Sequence, residues 1–170
     1  MKDNITLIGM PGVGKSSMGV VLAKVLGYEF LDSDLVIQKQ ENSLLKDLIE
    51  KYGNDGFLKI ENRVNAALDV SKTVIATGGS VIYGEEAMHH LKKISNVIYL
   101  KADYETISHR VSNLVGRGVA IQEGQTLFDL YQERAPLYMR YADIIVDMCG
   151  LSIEESVKAV LEGLEELSIK

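Results

Sequence analysis

The sequence predicts an α/β domain, a three-layer sandwich in which helices cover both faces of a five-stranded parallel sheet. Short runs rich in β-branched residues alternate along the chain with amphipathic stretches of helical periodicity. Strands that are joined through helices form right-handed crossovers, and such crossovers produce a parallel sheet. The 170 residues contain no repeat, low-complexity tract or linker, so we expect a single domain, 1–170.

The strands and helices of this domain follow one another in order. The first strand, 4–9, is a short apolar run, and the helix after it is expected to close at Gly27, because glycine readily adopts the left-handed conformation of a helix C-terminus. A later helical pattern contains Pro136, which is expected to kink or divide the helix. The predicted strands are 4–9, 29–32, 72–79, 96–102 and 143–148. The predicted helices are 15–27, 34–40, 43–53, 57–70, 85–94, 104–114, 126–142 and 152–167.

Composition and charge argue against several classes of function. The chain has 24 acidic and 18 basic residues, a net charge of −6, whereas a nucleic-acid surface is usually basic. No apolar run approaches the ~20 residues that cross a bilayer, and the N-terminal stretch lacks a signal-peptide layout. We therefore predict a cytoplasmic protein with no nucleic-acid or membrane partner, and a monomer, because nothing indicates an obligate dimer. The single cysteine, Cys149, is expected to be a small buried apolar residue.

A glycine-rich loop lies between the first predicted strand and the first predicted helix. The stretch "GMPGVGKS", 9–16, matches the phosphate-loop pattern G-x-x-x-x-G-K-[ST]. Its glycines allow successive backbone N–H groups to surround a phosphate. Lys15 supplies a positive charge to the β- and γ-phosphates, and the Ser16 hydroxyl can ligate Mg²⁺. The motif predicts a P-loop NTPase-type domain that binds ATP and Mg²⁺.

Two carboxylates, Asp32 and Asp34, follow the second predicted strand in "FLDSDLVI". Ligands of parallel sheets bind beyond the carboxyl ends of the strands, where Gly78 and Gly79 are also expected. Phosphoryl transfer uses one carboxylate on Mg²⁺ and a second group that orients or deprotonates the acceptor hydroxyl. We assign Asp32 to the metal and Asp34 to the acceptor. The other interpretation is that the pair caps the helix that begins near Leu35.

The stretch "VGRGVAIQEGQ", 115–125, interrupts the helical patterns. The chain has neither the N-K-x-D motif of GTPases nor the size of a transport ATPase, which leaves a small-molecule kinase. Such kinases exclude water with a mobile lid. Three glycines supply hinges, and Arg117 supplies a permanently charged donor to the transferred group. We predict a mobile lid at about 112–125; an ordinary surface loop is the alternative.

Together these residues resemble the shikimate kinase family, P-loop enzymes that phosphorylate the ring 3-hydroxyl of shikimate in the aromatic amino acid pathway to chorismate. The resemblance covers essentially the whole chain in the family's order and approximate spacing. The stretches on which it rests are "GMPGVGKSS", "FLDSDLVI", "GFLKIE", "IATGGSVI", "ISHRVSNLVGRG" and "ERAPLYMRYAD". The resemblance implies ATP-dependent phosphoryl transfer to a small carboxylated acceptor, shikimate or a similar hydroxy acid.

The resemblance also implies roles for individual residues. Arg110 matches the arginine that flanks the adenine, Arg117 the lid arginine, and Arg134 the arginine that binds the acceptor carboxylate. The acceptor-binding region corresponds to about 33–62. The implied nucleotide-binding residues are Gly12, Val13, Gly14, Lys15, Ser16, Ser17 and Arg110. The implied acceptor-binding residues are Asp34, Gly78, Gly79 and Arg134, the catalytic residues Lys15, Asp34 and Arg117, and the metal ligands Ser16 and Asp32.

The chain departs from the family pattern on the acceptor side. Leu58 stands where the family has an arginine on the acceptor carboxylate, and Ser80 replaces the third glycine of a G-G-G segment. The lid has "RGVA", 117–120, where the family has arginine followed by proline. Losing a bidentate arginine removes a charge-assisted hydrogen bond, worth roughly 1.5–3 kcal/mol. Ser80 adds a side chain where the acceptor ring is expected to pack closely.

Three interpretations follow from these departures. In the first, Arg134 holds the shikimate carboxylate, helped by Arg63 or Arg140. In the second, the same fold phosphorylates a different small hydroxylated metabolite. In the third, the chain is a nucleotide-binding module without kinase activity, although such a module has no use for a lid arginine or a candidate base. Glu61 either orients an arginine or lies on a solvated helix face.

Overall fold

The computed structural model describes residues 2–111 and 118–169, and in this part of the chain five strands form one parallel sheet. The order of the strands across the sheet is β2-β3-β1-β4-β5. The strands are β1 (Asn4–Ile8), β2 (Glu29–Asp32), β3 (Thr73–Ala76), β4 (Ser95–Lys101) and β5 (Ile144–Asp147). The predicted five-stranded parallel α/β sheet is confirmed.

Seven α-helices and a 3₁₀ turn at Val81–Tyr83 connect the strands of the described residues. The first helix ends as predicted, because Gly27 takes the left-handed conformation with φ 68°. The third is interrupted at Gly53, with φ 69° and ψ 176°, which separates two stretches that the sequence predicts as distinct helices. The helices are α1 (Lys15–Leu26), α2 (Ser33–Glu41), α3 (Leu45–Ala66), α4 (Glu85–Ile94), α5 (Tyr104–Arg110), α6 (Leu127–Tyr141) and α7 (Ile153–Ile169).

Helix α6 continues through Pro136 and is not divided there. Proline has no N–H to donate to the carbonyl four residues earlier, that of Gln132. Both residues lie on the exposed side of the helix, where water can take the place of the lost hydrogen bond. The helix begins with a reciprocal capping box between Thr126 and Asp129, which stabilises its first turn. Division of the helix at the proline, one of the two expected outcomes, is therefore wrong.

The core lies on both faces of the sheet. Central strand residues such as Leu7, Ile75 and Ile98 are fully buried, as expected of a parallel sheet covered by helices on both faces. Helix α1 packs against α7, whereas α3 packs against α4 and, with α6, against the 3₁₀ turn. Helices following β1, β2 and β3 begin at the carboxyl ends of these strands, so the loops there converge on one edge of the sheet.

The cysteine after the edge strand β5 is placed differently from the prediction. Cys149 is exposed, whereas its neighbour Met148 is buried. The Cys149 sulfur accepts a hydrogen bond from the backbone N–H of Asp103 at 3.4 Å. The prediction that Cys149 is a buried apolar residue is wrong, because β5 ends at Asp147 and Cys149 lies in the surface turn that follows it.

The helices of the described ranges carry charged side chains along their lengths. Helix α7, for example, begins with Glu154 and Glu155. Within residues 2–111 and 118–169 we find no helix that combines the length and the apolar character needed to span a membrane.

Candidate active site

A cavity of about 370 Å³ lies where the carboxyl ends of β1, β2 and β3 meet. Its walls come from the phosphate loop, the starts of α1 and α2, the middle of α3, the turn after β3, the segment 118–120 and α6. The predicted site residues that line it are Gly12, Gly14, Lys15, Ser16, Ser17, Asp34, Gly78, Gly79 and Arg134. The fold thus brings together residues that are far apart in the sequence.

The phosphate loop takes the backbone conformation that its glycines permit. Gly12 and Gly14 have φ of 82° and 106°, a region that other residues rarely adopt. A β-carbon at Gly12 would lie 2.6 Å from the Val111 side chain, so the loop also packs closely against the end of α5. Gly14 immediately precedes α1, and the N–H groups of this helix start therefore border the cavity.

Lys15 is buried at the base of the phosphate loop. Its ammonium donates hydrogen bonds to the carbonyls of Gly9, at 2.7 Å, and Met10, at 3.0 Å. Burial lowers the pKa of Lys15 to about 8, and the nearby carboxylate of Asp34 opposes this shift. Lys15 is therefore mostly charged at neutral pH, as the predicted interaction with phosphates requires.

The two oxygens of Asp32 have different partners. Oδ2 accepts a hydrogen bond from the Ser16 hydroxyl at 2.9 Å. Oδ1 accepts from the backbone N–H of Asp34 at 3.0 Å and so caps α2. Asp32 therefore caps helix α2 with one oxygen and pairs with Ser16 through the other. The pairing brings two hard oxygen donors together beside the phosphate loop, a donor set that suits Mg²⁺.

No group of three or more His, Cys, Asp or Glu side chains in the described part of the chain could hold a metal ion. Mg²⁺ in kinases is usually bound by one or two protein oxygens together with the phosphates of the nucleotide. The Ser16 and Asp32 pair is compatible with that arrangement, so the residues present fit the metal that the sequence predicts.

Asp34 lines the cavity, whereas Asp32 does not. Its Oδ1 is buried and has no hydrogen-bond partner among the described residues. Burial raises the pKa of Asp34 to about 6; the charge of Asp32 adds to the shift, and Lys15 opposes it. A carboxylate that takes up a proton near neutral pH is suited to accept one from a bound hydroxyl.

Glu61 is a cavity residue whose importance the sequence reasoning left open. It is only 1% exposed, and its Oε2 accepts a hydrogen bond from the Ser80 hydroxyl at 2.6 Å. Burial raises the pKa of Glu61 to about 7, while the bond from Ser80 lowers it. A signal was present, because Glu61 lies four residues after Phe57 and three before Val64, on the apolar face of α3.

Gly78 and Gly79 are glycines because polar side chains approach their backbone. A β-carbon on Gly78 would lie 2.6 Å from Glu61 Oε1 and 2.7 Å from Asp34 Oδ1. One on Gly79 would lie 3.0 Å from Arg134 Nη1 and 2.8 Å from the Pro11 ring. A side chain at either position would therefore displace a charged group of the cavity.

Among the described residues, Arg134 is the one arginine that lines this cavity. It is buried in α6, where its Nη2 donates to the carbonyl of Ala120 at 2.8 Å and its guanidinium lies 5.4 Å from the centre of the Tyr83 ring. Its Nε has no partner among the described residues. The guanidinium therefore retains donor capacity for an anionic group.

The two arginines considered as helpers of Arg134 lie elsewhere. Arg63 forms an ion pair with Glu41 on the surface, and Arg140 is exposed and stacks over Tyr141. Leu58 does not line the main cavity but a separate one of about 130 Å³. In this structure neither expected helper lies at the acceptor side.

The remaining predicted residues concern the nucleotide and the lid. Arg110 donates to the carbonyl of Val13 at 3.2 Å, so it packs against the phosphate loop. Arg117 lies outside the described residues. The end of the predicted lid that is described, 118–120, itself lines the cavity. Gly118 packs against Leu45 at the start of α3, and the carbonyl of Ala120 accepts a hydrogen bond from Arg134.

Comparison with known proteins agrees with this geometry. Residues 11–165 match the family model of shikimate kinase. The chain belongs to the shikimate kinase family. A shikimate kinase from Thermodesulfovibrio yellowstonii is 36% identical to it over 168 residues, which cover 97% of this chain and 96% of that protein. The fold is therefore that of a kinase family whose acceptors carry a hydroxyl group.

Solved structures of shikimate kinases share the whole architecture. The enzyme from Acinetobacter baumannii, solved in complex with shikimate, is 31% identical with a TM-score of 0.90, covering 100% of this chain and 97% of that chain. The enzyme from Aquifex aeolicus is 29% identical with a TM-score of 0.79, covering 95% and 96%. The family resemblance and the P-loop kinase fold predicted from the sequence are confirmed.

Proposed function

We propose that this member of the shikimate kinase family transfers the γ-phosphoryl group of ATP to the 3-hydroxyl of shikimate and so forms shikimate 3-phosphate, in aromatic amino acid biosynthesis. The observation that supports it most strongly is a single cavity that is lined by the phosphate loop, by Asp34 and by Arg134. A buried atom of each of these two side chains, Asp34 Oδ1 and Arg134 Nε, has no hydrogen-bond partner among the described residues. The likeness to a shikimate kinase solved with shikimate adds to this support.

On the nucleotide side, the N–H groups around 12–16 bind the β-phosphate, and Lys15 offsets charge that develops on the transferred group. Ser16 and Asp32 are the residues that would hold Mg²⁺. Mg²⁺ held there would act as a Lewis acid and would reduce the negative charge on the phosphates during transfer. Arg117 is expected to contact the γ-phosphoryl group, and Arg110 to flank the adenine.

On the acceptor side, Arg134 binds the carboxylate, and Asp34 orients the hydroxyl in line with the γ-phosphorus. The hydroxyl oxygen forms the new bond to phosphorus while the bond to the β,γ-bridging oxygen breaks, and the hydroxyl proton passes to the Asp34 carboxylate. The pKa of Asp34, raised by burial to about 6, supports this role. Gly78 and Gly79 allow the acceptor to approach the backbone.

The proposal is tested by ADP release from the full chain with MgATP, measured with and without millimolar shikimate. We expect strong stimulation by shikimate, with a product whose ³¹P NMR signal is that of a phosphate monoester on the ring. Intact ATP binding without stimulation would contradict the shikimate assignment. A screen of small hydroxy acids and polyols would then test the second candidate, a kinase of another hydroxylated metabolite, which Leu58 favours because no second arginine lines the described cavity.

The division of labour between the acids is tested by Asp34→Asn. We expect acceptor-dependent turnover to fall by about 10²-fold or more while ATP affinity stays within a few fold, since general-base and orienting effects of this size are typical. Asp69→Asn, at an exposed position, is the control and should leave both unchanged. An equal loss of ATP binding and turnover in Asp34→Asn would contradict the assignment.

A further inference from the structure

Two carboxylate oxygens meet above Gly78. A single β-carbon placed on this glycine would lie 2.6 Å from Glu61 Oε1 and 2.7 Å from Asp34 Oδ1. The two oxygens are therefore separated by at most the sum of these distances, about 5 Å. Both are buried and lack hydrogen-bond partners among the described residues. Two unpaired acceptors this close together can bind a ligand that donates two hydrogen bonds.

Ser80 determines which oxygen of Glu61 remains unpaired. The Ser80 hydroxyl donates to Oε2 at 2.6 Å, and this serine is 5% exposed. Its φ of −93° is ordinary for a residue with a side chain, so serine fits here without backbone strain. With Oε2 paired, Oε1 is the oxygen left beside Asp34. The Ser80 side chain therefore pairs with Glu61 as well as bordering the space expected for the acceptor ring.

We propose that Ser80 is a positioning residue: it fixes the Glu61 carboxylate so that Oε1 accepts a hydrogen bond from a second hydroxyl of the acceptor, next to the one that Asp34 orients. This inference rests on the proposed function, since it concerns the acceptor of that same reaction. It predicts that Glu61 selects among acceptors by the hydroxyl next to the reacting one. An alcohol with one hydroxyl would leave a buried carboxylate oxygen unpaired, which is unfavourable.

The charges around Glu61 are consistent with this role. Asp34 repels a negative charge on Glu61, whereas Arg134 and Lys15 attract it. The hydrogen bond from Ser80 favours the ionised form against burial, and a carboxylate is a stronger acceptor than the neutral acid. Ser80 thus supports both the orientation and the charge of the group that receives the second hydroxyl.

The first test compares the acceptor KM of Ser80→Ala and Ser80→Thr with that of the unaltered protein. Losing a hydrogen bond to a charged group should raise the acceptor KM about tenfold in Ser80→Ala, with the ATP KM within twofold. Ser80→Thr keeps the hydroxyl and should restore most of the affinity. An acceptor KM that is unchanged in Ser80→Ala would overturn the proposal.

Ser95→Ala is the matched control for a purely structural effect. Ser95 is also buried, and its hydroxyl forms hydrogen bonds with Thr6 and Leu91. It lies at the amino-terminal end of β4, whereas the cavity lies at the carboxyl ends of the strands. This variant should lose thermal stability without a change in the acceptor KM. A rise in acceptor KM equal to that of Ser80→Ala would assign the effect to general destabilisation and overturn the proposal.

The diol requirement is tested with shikimate and an analogue that lacks the hydroxyl neighbouring the reacting one. In the unaltered protein the analogue should have an acceptor KM about tenfold higher than shikimate. In Ser80→Ala the two compounds should differ much less, because Glu61 no longer distinguishes them. An equal preference for shikimate in both proteins would contradict the assigned second hydroxyl.

A titration of Glu61 separates failure of this inference from failure of the proposed function. The ¹³C carboxyl signal of Glu61, identified from its absence in Glu61→Gln, is followed against pH. Ser80→Ala should raise the Glu61 pKa because a hydrogen bond to the ionised form is lost, and Ser95→Ala should not. An unchanged pKa overturns the positioning role whichever acceptor is used. A raised pKa without shikimate turnover would retain it and reject only the shikimate assignment.

Discussion

The phosphate half and the acceptor half of the cavity are built in different ways. The phosphate-binding loop comes from one continuous stretch, 9–16, whose backbone conformation and three glycines set its shape. The acceptor half is assembled from side chains on separate elements: Asp34 on α2, Glu61 on α3, Ser80 after β3 and Arg134 on α6. The first half depends on local backbone geometry, and the second depends on tertiary packing.

This difference agrees with the prediction from the sequence that departures from the family pattern fall in the acceptor half. A backbone cradle has few alternatives, because most side chains are excluded at positive φ. Buried side chains that contact one another can be substituted together, provided that each buried polar group still has a hydrogen-bond partner. Leu58 and Ser80 fit this description: Leu58 of α3 lines a separate cavity, and Glu61 of the same helix accepts a hydrogen bond from Ser80.

The largest effect is expected from breaking the phosphate half with Lys15→Ala. Removing the charge that stabilises the transferred group should reduce turnover by about 10³-fold. The fold should be retained, because burial of the ammonium is unfavourable, as its lowered pKa of about 8 indicates. ADP release and thermal unfolding measure the two quantities.

The control is Lys24→Ala, at an exposed position of the same helix, which should change neither quantity. Turnover above a tenth of the unaltered value in Lys15→Ala would contradict the assigned role of the phosphate loop.

An intermediate effect, limited to the acceptor half, is expected from Arg134→Lys. Lysine keeps the charge but loses the planar pair of donors, so the acceptor KM should rise about 10- to 100-fold while the ATP KM changes little. Steady-state kinetics with each substrate varied in turn provide the measurement. Arg140→Lys on the same helix should be silent, since that side chain is exposed. A larger effect of Arg140→Lys than of Arg134→Lys would reverse our choice of the carboxylate anchor.

The smallest effect is a pH-dependent stability change in Glu61→Gln. The folded-state pKa of Glu61, about 7, lies above its ordinary value of 4.5 because of burial. Below pH 4.5 Glu61 is protonated in both the folded and the unfolded state and does not affect the free energy of unfolding. As the pH rises from 4.5 through 7, the free energy of unfolding decreases, because the unfolded state ionises more readily than the folded one. Glutamine removes that loss, so the variant should melt a few degrees higher at pH 8, given about 2–4 °C per kcal/mol at this size, and not at pH 4.

Thermal unfolding of both proteins between pH 4 and 8 tests this prediction. Glu50→Gln, at an exposed position of the same helix, should show no such pH-dependent gain. A gain for Glu61→Gln that is constant across the pH range would argue that the charge of Glu61 is not the cause.

Several features could be predicted from the sequence because their signals are local. The strands were identified from β-branched runs, the end of α1 from Gly27, and the phosphate loop from its spacing. Division of α6 at Pro136 and burial of Cys149 were wrong expectations, because each outcome depends on which side of the element faces solvent, and neighbouring residues in the sequence do not specify this. Pro136 removes one backbone hydrogen bond of α6, and water on the exposed side of the helix can replace it.

The α/β class, the phosphate loop and the family can be inferred without a structure, because periodicity, glycine spacing and motif order are properties of contiguous residues. The burial of Glu61 against Ser80, and the presence of Arg134 but not Arg63 or Arg140 at the cavity, are known from the folded chain alone. These outcomes depend on how helices from distant parts of the chain pack around the sheet. That packing decides which charged groups lose water and must find partners.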